Sequence, residues 1–181
     1  MRVTGTSSGI NGLGERLKCI NPNNGWNVDS NCIACAEETA DTLTLGKDPV
    51  PAGDRWEEFM SKRTATKKFK GDSPDQVWDW CFANLQVGTV YAVYLESEGD
   101  GFIHAWNLVR DDGGRIYLID SNQHLFKQFQ QASDGPSEVR NHPEDETNRT
   151  TTMNYLSAIN AKLGVYVWGP MHSRWKSILQ G

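Results

Sequence analysis

Leu85-Gln86-Val87-Gly88-Thr89-Val90-Tyr91-Ala92-Val93-Tyr94-Leu95 decides the fold, because the hydrophobic period changes inside it. Before Gly88, the apolar residues Val77, Trp80, Cys81 and Leu85 recur three and four positions apart, the stripe of an amphipathic helix. Ser73-Pro74-Asp75-Gln76 opens that helix, with Ser as cap, Pro in the first turn and Gln placed to close a capping box. After Gly88, the segments 89–95, 103–109 and 115–120 are rich in Val, Ile, Tyr and Leu. Gly99-Asp100-Gly101 and Asp111-Asp112-Gly113-Gly114 punctuate them, so they read as consecutive antiparallel strands joined by turns. The sheet continues through 124–129.

Working outward, Ile33, Ala36, Ala40 and Leu43 place a helix behind Cys32 that stops at Gly46. Segment 47–70 carries Pro49, Pro51 and Gly53 and reads as loop, with a short helix over 54–60 around Trp56 and Phe59. Its basic cluster, Lys62, Arg63, Lys67, Lys68 and Lys70, reads as a solvated loop. Beyond the sheet, 134–150 is polar and contains Pro136 and Pro143, an exposed loop; 151–163 reads as a helix and 165–168 as a last strand. Residues 1–18 read as a flexible leader rich in Gly, Ser and Thr, and 19–181 as one domain. Helices first and an antiparallel sheet after make the class α+β, with N-terminal helices packed on the sheet.

The chain has 181 residues and a formal net charge of −5, with its basic residues scattered, which gives no electrostatic footprint for nucleic acid. No apolar run approaches the roughly 20 residues of a membrane span, and the N-terminus lacks the apolar core of a secretory signal. The four cysteines, Cys19, Cys32, Cys35 and Cys81, are expected to be mostly free thiols, since a chain of this size builds a core without staples. One Cys-x-x-Cys without a second close pair is a weak zinc signal and, without a preceding buried strand, a weak redox signal. No metal and no cofactor are expected. Cys81 lies on the helix stripe and reads as inert core, and Cys35 as a small hydrophobe one turn below Cys32.

Cys32 is different. It follows Asn27, Asp29, Ser30 and Asn31 at a helix start, where unpaired backbone N–H groups and the positive end of the macrodipole favour a thiolate. Downstream, His104 and Asp120 lie on strands that a short hairpin makes neighbours, with side chains able to share a face. Cys, His and Asp in that order suit a thiol mechanism in which His104 withdraws the proton and Asp120 fixes the imidazole tautomer. The backbone N–H of Cys32 is the first oxyanion donor, and a side-chain amide of Asn27 or Asn31 a second. Trp26 before the thiol and Trp106 after the histidine would narrow a cleft into a slot or shield the His–Asp contact. The trio alone does not choose between a glutamine side chain, a peptide bond and transglutamination, and a non-catalytic protein-binding module is the rival from another class.

Ile20-Asn21-Pro22, Asn31 to Ala36, the segment 43–51, His104 to Val109 and Gly114 to Asp120 together resemble the papain-fold toxin domain of bacterial polymorphic toxins, a family similar to the glutamine deamidase toxins. The resemblance spans about 19–126. It implies a papain-like cysteine-enzyme fold in which Cys32 is the nucleophile, His104 the general base and Asp120 the orienting acid. It implies deamidation of glutamine in a protein substrate of a target cell, with a cysteine protease of the same fold as the alternative. The family has glutamine two residues after its acid; here Asn122 stands there, with Gln123 next, and both are substrate-binding candidates beside Trp106. Delivery by a bacterial secretion system, action in the target-cell cytosol and a cognate immunity protein are further implications.

Overall fold

The computed structural model describes residues 8–22, 31–53, 62–70, 74–97, 103–129 and 161–181. Within them the order is α1 (Gly9–Leu17), a 3-10 turn (Lys18–Ile20), α2 (Cys32–Leu45), β1 (Ala65–Lys70), α3 (Pro74–Asn84), β2 (Thr89–Ser97), β3 (Ile103–Arg110), β4 (Ile116–Asp120), β5 (Leu125–Phe129), β6 (Ala161–Pro170) and α4 (Ser173–Gln180). The architecture mixes helices with one antiparallel sheet of order β1-β6-β2-β3-β4-β5. Strands β2 to β5 are a meander, as the turn spacing predicts, and β6 crosses back to lie between β1 and β2.

Alternation along the strands divides the core. Tyr91, Val93 and Leu95 of β2, Trp106 and Leu108 of β3, and Ile116 and Leu118 of β4 gather with Cys81 and Leu85 around α3. Val90, Val109, Tyr117 and Ile119 instead meet Leu13 and Leu17 of α1, Cys35, Ala40 and Leu43 of α2, and Trp175 and Leu179 of α4. Asn107 is fully buried in β3, and its side-chain amide donates to the Ala36 carbonyl of α2 at 3.1 Å and the Tyr91 carbonyl at 3.3 Å. A polar residue in an apolar strand thus hooks α2 onto the sheet. Helix α2 ends where expected: Gly46 takes φ 69° and donates its N–H to the Thr42 carbonyl.

Three expectations are corrected. Residues 9–17 are not leader but helix, with Leu13 and Leu17 fully buried. The three-and-four spacing of Ile10, Leu13 and Leu17 outweighs the glycine content, and Gly14 lets the Phe126 ring close in, since a Cβ there would lie 2.5 Å from it. The lysine cluster is not all loop: 65–70 is edge strand β1, with Lys67, Lys68 and Lys70 exposed and Phe69 buried. Lysines on an edge discourage further strand pairing. Residues 161–163 are strand, not helix, because β6 is a ten-residue partner to both β1 and β2. Helix α4, whose Trp175 and Leu179 seal the core beside α1, is an element the sequence pattern does not announce. The short helix over 54–60, the cap Ser73, the loop over 134–150 and the helix residues 151–160 lie outside the described residues.

Candidate active site

The β3–β4 ladder pairs Arg110 with Ile116 and continues to Asn107 with Ile119, where it ends. By that register, residue 106 stands opposite 120 and residue 104 opposite 122, so His104 and Asp120 share a face one step apart. His104 stays paired through β2, opposite Leu95, while β4 has already turned away. At this open end the His104 Nε2–H donates to Asp120 Oδ2 at 2.6 Å. The Cys32 side chain also acts on the imidazole, raising its pKa. Since Nε2 serves Asp120, Nδ1 is the nitrogen left for the thiol. The structure therefore brings Cys32, His104 and Asp120 into one contact chain, with exposures of 6%, 3% and 1%.

Asp120 is held by its own turn. Its second oxygen, Oδ1, accepts the N–H of Asn122 at 2.9 Å and of Gln123 at 3.0 Å, an Asx-type turn that fixes which oxygen faces the histidine. His124 completes the turn at φ 53°, a left-handed conformation, and its Nε2 donates to the Asn21 carbonyl at 2.7 Å. Asn21 answers by donating its side-chain amide to the Asn122 carbonyl at 2.7 Å. The hydroxyls of Thr39 and Ser121 share a hydrogen bond of 2.7 Å between α2 and the same turn.

The electrostatics of the trio are cooperative. Burial alone would lower the His104 pKa, but the Asp120 charge, its hydrogen bond and the Cys32 side chain outweigh that and push it up to about 10. An imidazolium is thus stabilised between a carboxylate and a sulfur. Burial pushes the Cys35 and Cys81 thiols up to about 12, and Cys19, which is exposed, is also raised, chiefly by burial of its sulfur. All four cysteines are free of disulfides.

The remaining candidates fall into different roles. Asn31 is the residue before Cys32, yet its side chain makes no capping bond to α2; its Oδ1 accepts from Asn122 Nδ2 at 2.7 Å. The first N–H groups of α2, Cys32's among them, have no intrahelical acceptor by helix geometry and form the electropositive end beside the sulfur. Asn122 is 4% exposed and tied to Asn31, Cys35 and Gln123, a bridge inside the protein rather than a wall of a cleft. Gln123 is half-buried and donates its Nε2 to Asn122 Oδ1 at 2.7 Å. Trp106 stacks on the His104 ring at 5.9 Å and 21°, and belongs to the core beneath it. It screens the imidazole and does not form a slot at the surface. Asn27 and Trp26 lie outside the described residues.

An apolar cavity lined by Val77, Cys81, Val93, Trp106, Leu108, Leu163 and Val165 lies under Trp106, away from the thiol. Among the described residues no cluster of His, Cys, Asp and Glu could hold a metal, and no helix is long and apolar enough to cross a membrane. Sequence reasoning missed Asn21, Thr39, Asn107, Ser121 and His124, which hold the site together. The motif stretches contain Asn21 and Asn107, but only an unexpected polar residue within an apolar strand could have singled out Asn107.

No protein-family model and no curated protein matches the chain. Among solved structures it is similar to the crystal structure of the Pseudomonas avirulence protein AvrPphB, at 10% identity over 86% of this chain and 89% of that one, with a TM-score of 0.38.

Proposed function

We propose that the chain is a papain-like cysteine hydrolase that deamidates glutamine side chains of target-cell proteins, with Cys32 as nucleophile, His104 as general base and acid, and Asp120 as orienting acid. The observation that carries this reading is the buried imidazole, bonded to Asp120 at 2.6 Å on one nitrogen and raised in pKa by the Cys32 side chain as well. Cys32 sulfur attacks the carboxamide carbon, and the oxyanion meets the N–H groups at the start of α2. The C–N bond breaks, and His104 gives its proton to the departing ammonia. Water, deprotonated by His104, then cleaves the thioester, releasing a carboxylate and regenerating the thiol.

A carboxamide on a flexible stem suits this site better than a peptide bond. The three reacting side chains are almost wholly buried, and an extended main chain needs an open groove with strand-like pairing on both sides. Secretion-system delivery, action in the target-cell cytosol and a cognate immunity protein accompany this reading through the family resemblance.

The test is peptide mass spectrometry of cell extract incubated with wild type and Cys32→Ala. Glutamine-to-glutamate conversion confined to wild type is the expected result. New cleavage fragments that need Cys32 would replace deamidation by proteolysis, and no Cys32-dependent product of either kind would favour a binding module.

A further inference from the structure

We propose that Asn122 is a positioning residue, whose side-chain amide holds the start of the nucleophile's helix against the turn that carries Asp120 and thereby sets the Cys32 to His104 contact; the role rests on the thiol-hydrolase function proposed above. Each polar atom of Asn122 is committed. Its N–H donates to Asp120 Oδ1 at 2.9 Å, its carbonyl accepts from Asn21 at 2.7 Å, and its Oδ1 accepts from Gln123 at 2.7 Å. These three bonds fix the residue within its own turn. The fourth group, Nδ2, crosses to α2, donating to Asn31 Oδ1 at 2.7 Å and lying 3.9 Å from Cys35 Sγ.

A second, independent observation comes from Asn31. Asparagine at a helix N-cap ordinarily turns its oxygen onto the N–H groups of its own first turn. Asn31 occupies the N-cap of α2 and makes no such bond, because that oxygen is spent on Asn122. A local rule is broken beside a reactive sulfur, where such exceptions concentrate. The arrangement has two effects. It ties the residue adjoining Cys32 to the residue two beyond Asp120, and it withholds a side-chain acceptor from the helix N–H groups that face the reaction.

The link differs from general support of the fold, and one substitution separates the two. Asn31→Ser supplies a residue that caps its own helix well but is too short to keep the bond to Asn122. Wild type, Asn31→Ser, Asn122→Ala and the double variant are treated with iodoacetamide across a pH series. Cys32 alkylation is read by peptide mass spectrometry, and thermal melting is followed alongside. Asn31→Ser is expected to melt near the wild-type temperature, its better cap offsetting the Asn122 amide it leaves unpaired, yet to lose about tenfold in Cys32 alkylation rate near pH 6 with a changed pH profile. The double variant is expected to lose no more than Asn31→Ser, since both changes remove one shared bond.

A wild-type pH profile in Asn31→Ser, or strictly additive losses in the double variant, would overturn the role of Asn122 while leaving the trio standing. If wild-type Cys32 itself alkylates like Cys19 at every pH, the thiol-hydrolase function falls and this role with it. Should Asn122→Ala fail to fold, Asn31→Ser alone decides, because it removes the same bond from the helix side.

Discussion

Asp120→Asn separates the shape of the site from its charge. Oδ1 of Asp120 accepts two backbone N–H groups, from Asn122 and Gln123, so an asparagine must keep its oxygen there and turn its NH2 toward His104. The turn survives, and with it the fold. The amide then donates to Nε2, which forces the imidazole proton onto Nδ1, the nitrogen needed to accept the proton of Cys32. The magnitude follows from the balance at His104. Burial works against the imidazolium, and Asp120 is the largest counterweight lifting the pKa from 6.5 to about 10. Removing that charge takes away the largest upward pull against burial, and a return from about 10 to the ordinary 6.5 is already a loss of ~1000-fold or more in proton affinity. The imidazolium–thiolate population at neutral pH falls accordingly. Cys32 alkylation by iodoacetamide, read beside a thermal melt, measures it: the variant is expected to stay folded and to react at least about tenfold more slowly, the loss being bounded by the few per cent of thiolate that an unassisted thiol keeps at neutral pH. A folded variant alkylated at the wild-type rate would reduce Asp120 to a turn residue.

Two further outcomes follow from the fold and the electrostatics. Leu17→Ala, which truncates a fully buried side chain in α1, should cost about 2–5 kcal/mol in urea unfolding, whereas a change within a true leader would cost nothing measurable. His104 binds its proton more tightly folded than unfolded, so the stability it contributes is complete below about pH 6.5 and is lost as pH rises from there through about 10. Cys35, Cys81 and Tyr117, all raised to about 12, also weaken the fold at high pH, so the comparison is between wild type and His104→Ala. The wild-type advantage should shrink across that window, and an advantage that stays constant from pH 6 to 10 would contradict the coupling.

The parts of the fold legible in the sequence are those where period and punctuation agree. The β2 to β5 meander has alternating Val, Ile, Tyr and Leu and Gly/Asp turns, and α2 has both an apolar stripe and a stop at Gly46. Helix α1 was hidden by composition, because Gly9, Gly12 and Gly14 signal flexibility while the core that buries Leu13 and Leu17 includes partners far along the chain, among them α4 and Phe126 of β5. Strand β1 was hidden for a related reason: an edge strand rich in lysine has one buried residue, Phe69, and so no period to read. At the site, Cys32, His104 and Asp120 were visible as residue types in order. Their supports were not, since the bonds of Asn122 to Asn31 and of Asn21 to Asn122 join positions about a hundred apart and depend on a register no local pattern encodes.

Whether the trio behaves as one ionisable unit is answered most directly by NMR of the side-chain nitrogens of the four histidines, assigned by substitution and titrated in wild type and Cys32→Ala. His104 should carry protons on both nitrogens well above the range of an ordinary histidine, with an apparent pKa near 10 that drops when the sulfur is removed. A His104 that titrates near 6.5 in wild type, or whose titration ignores the loss of Cys32, would contradict the coupled Cys32–His104–Asp120 site.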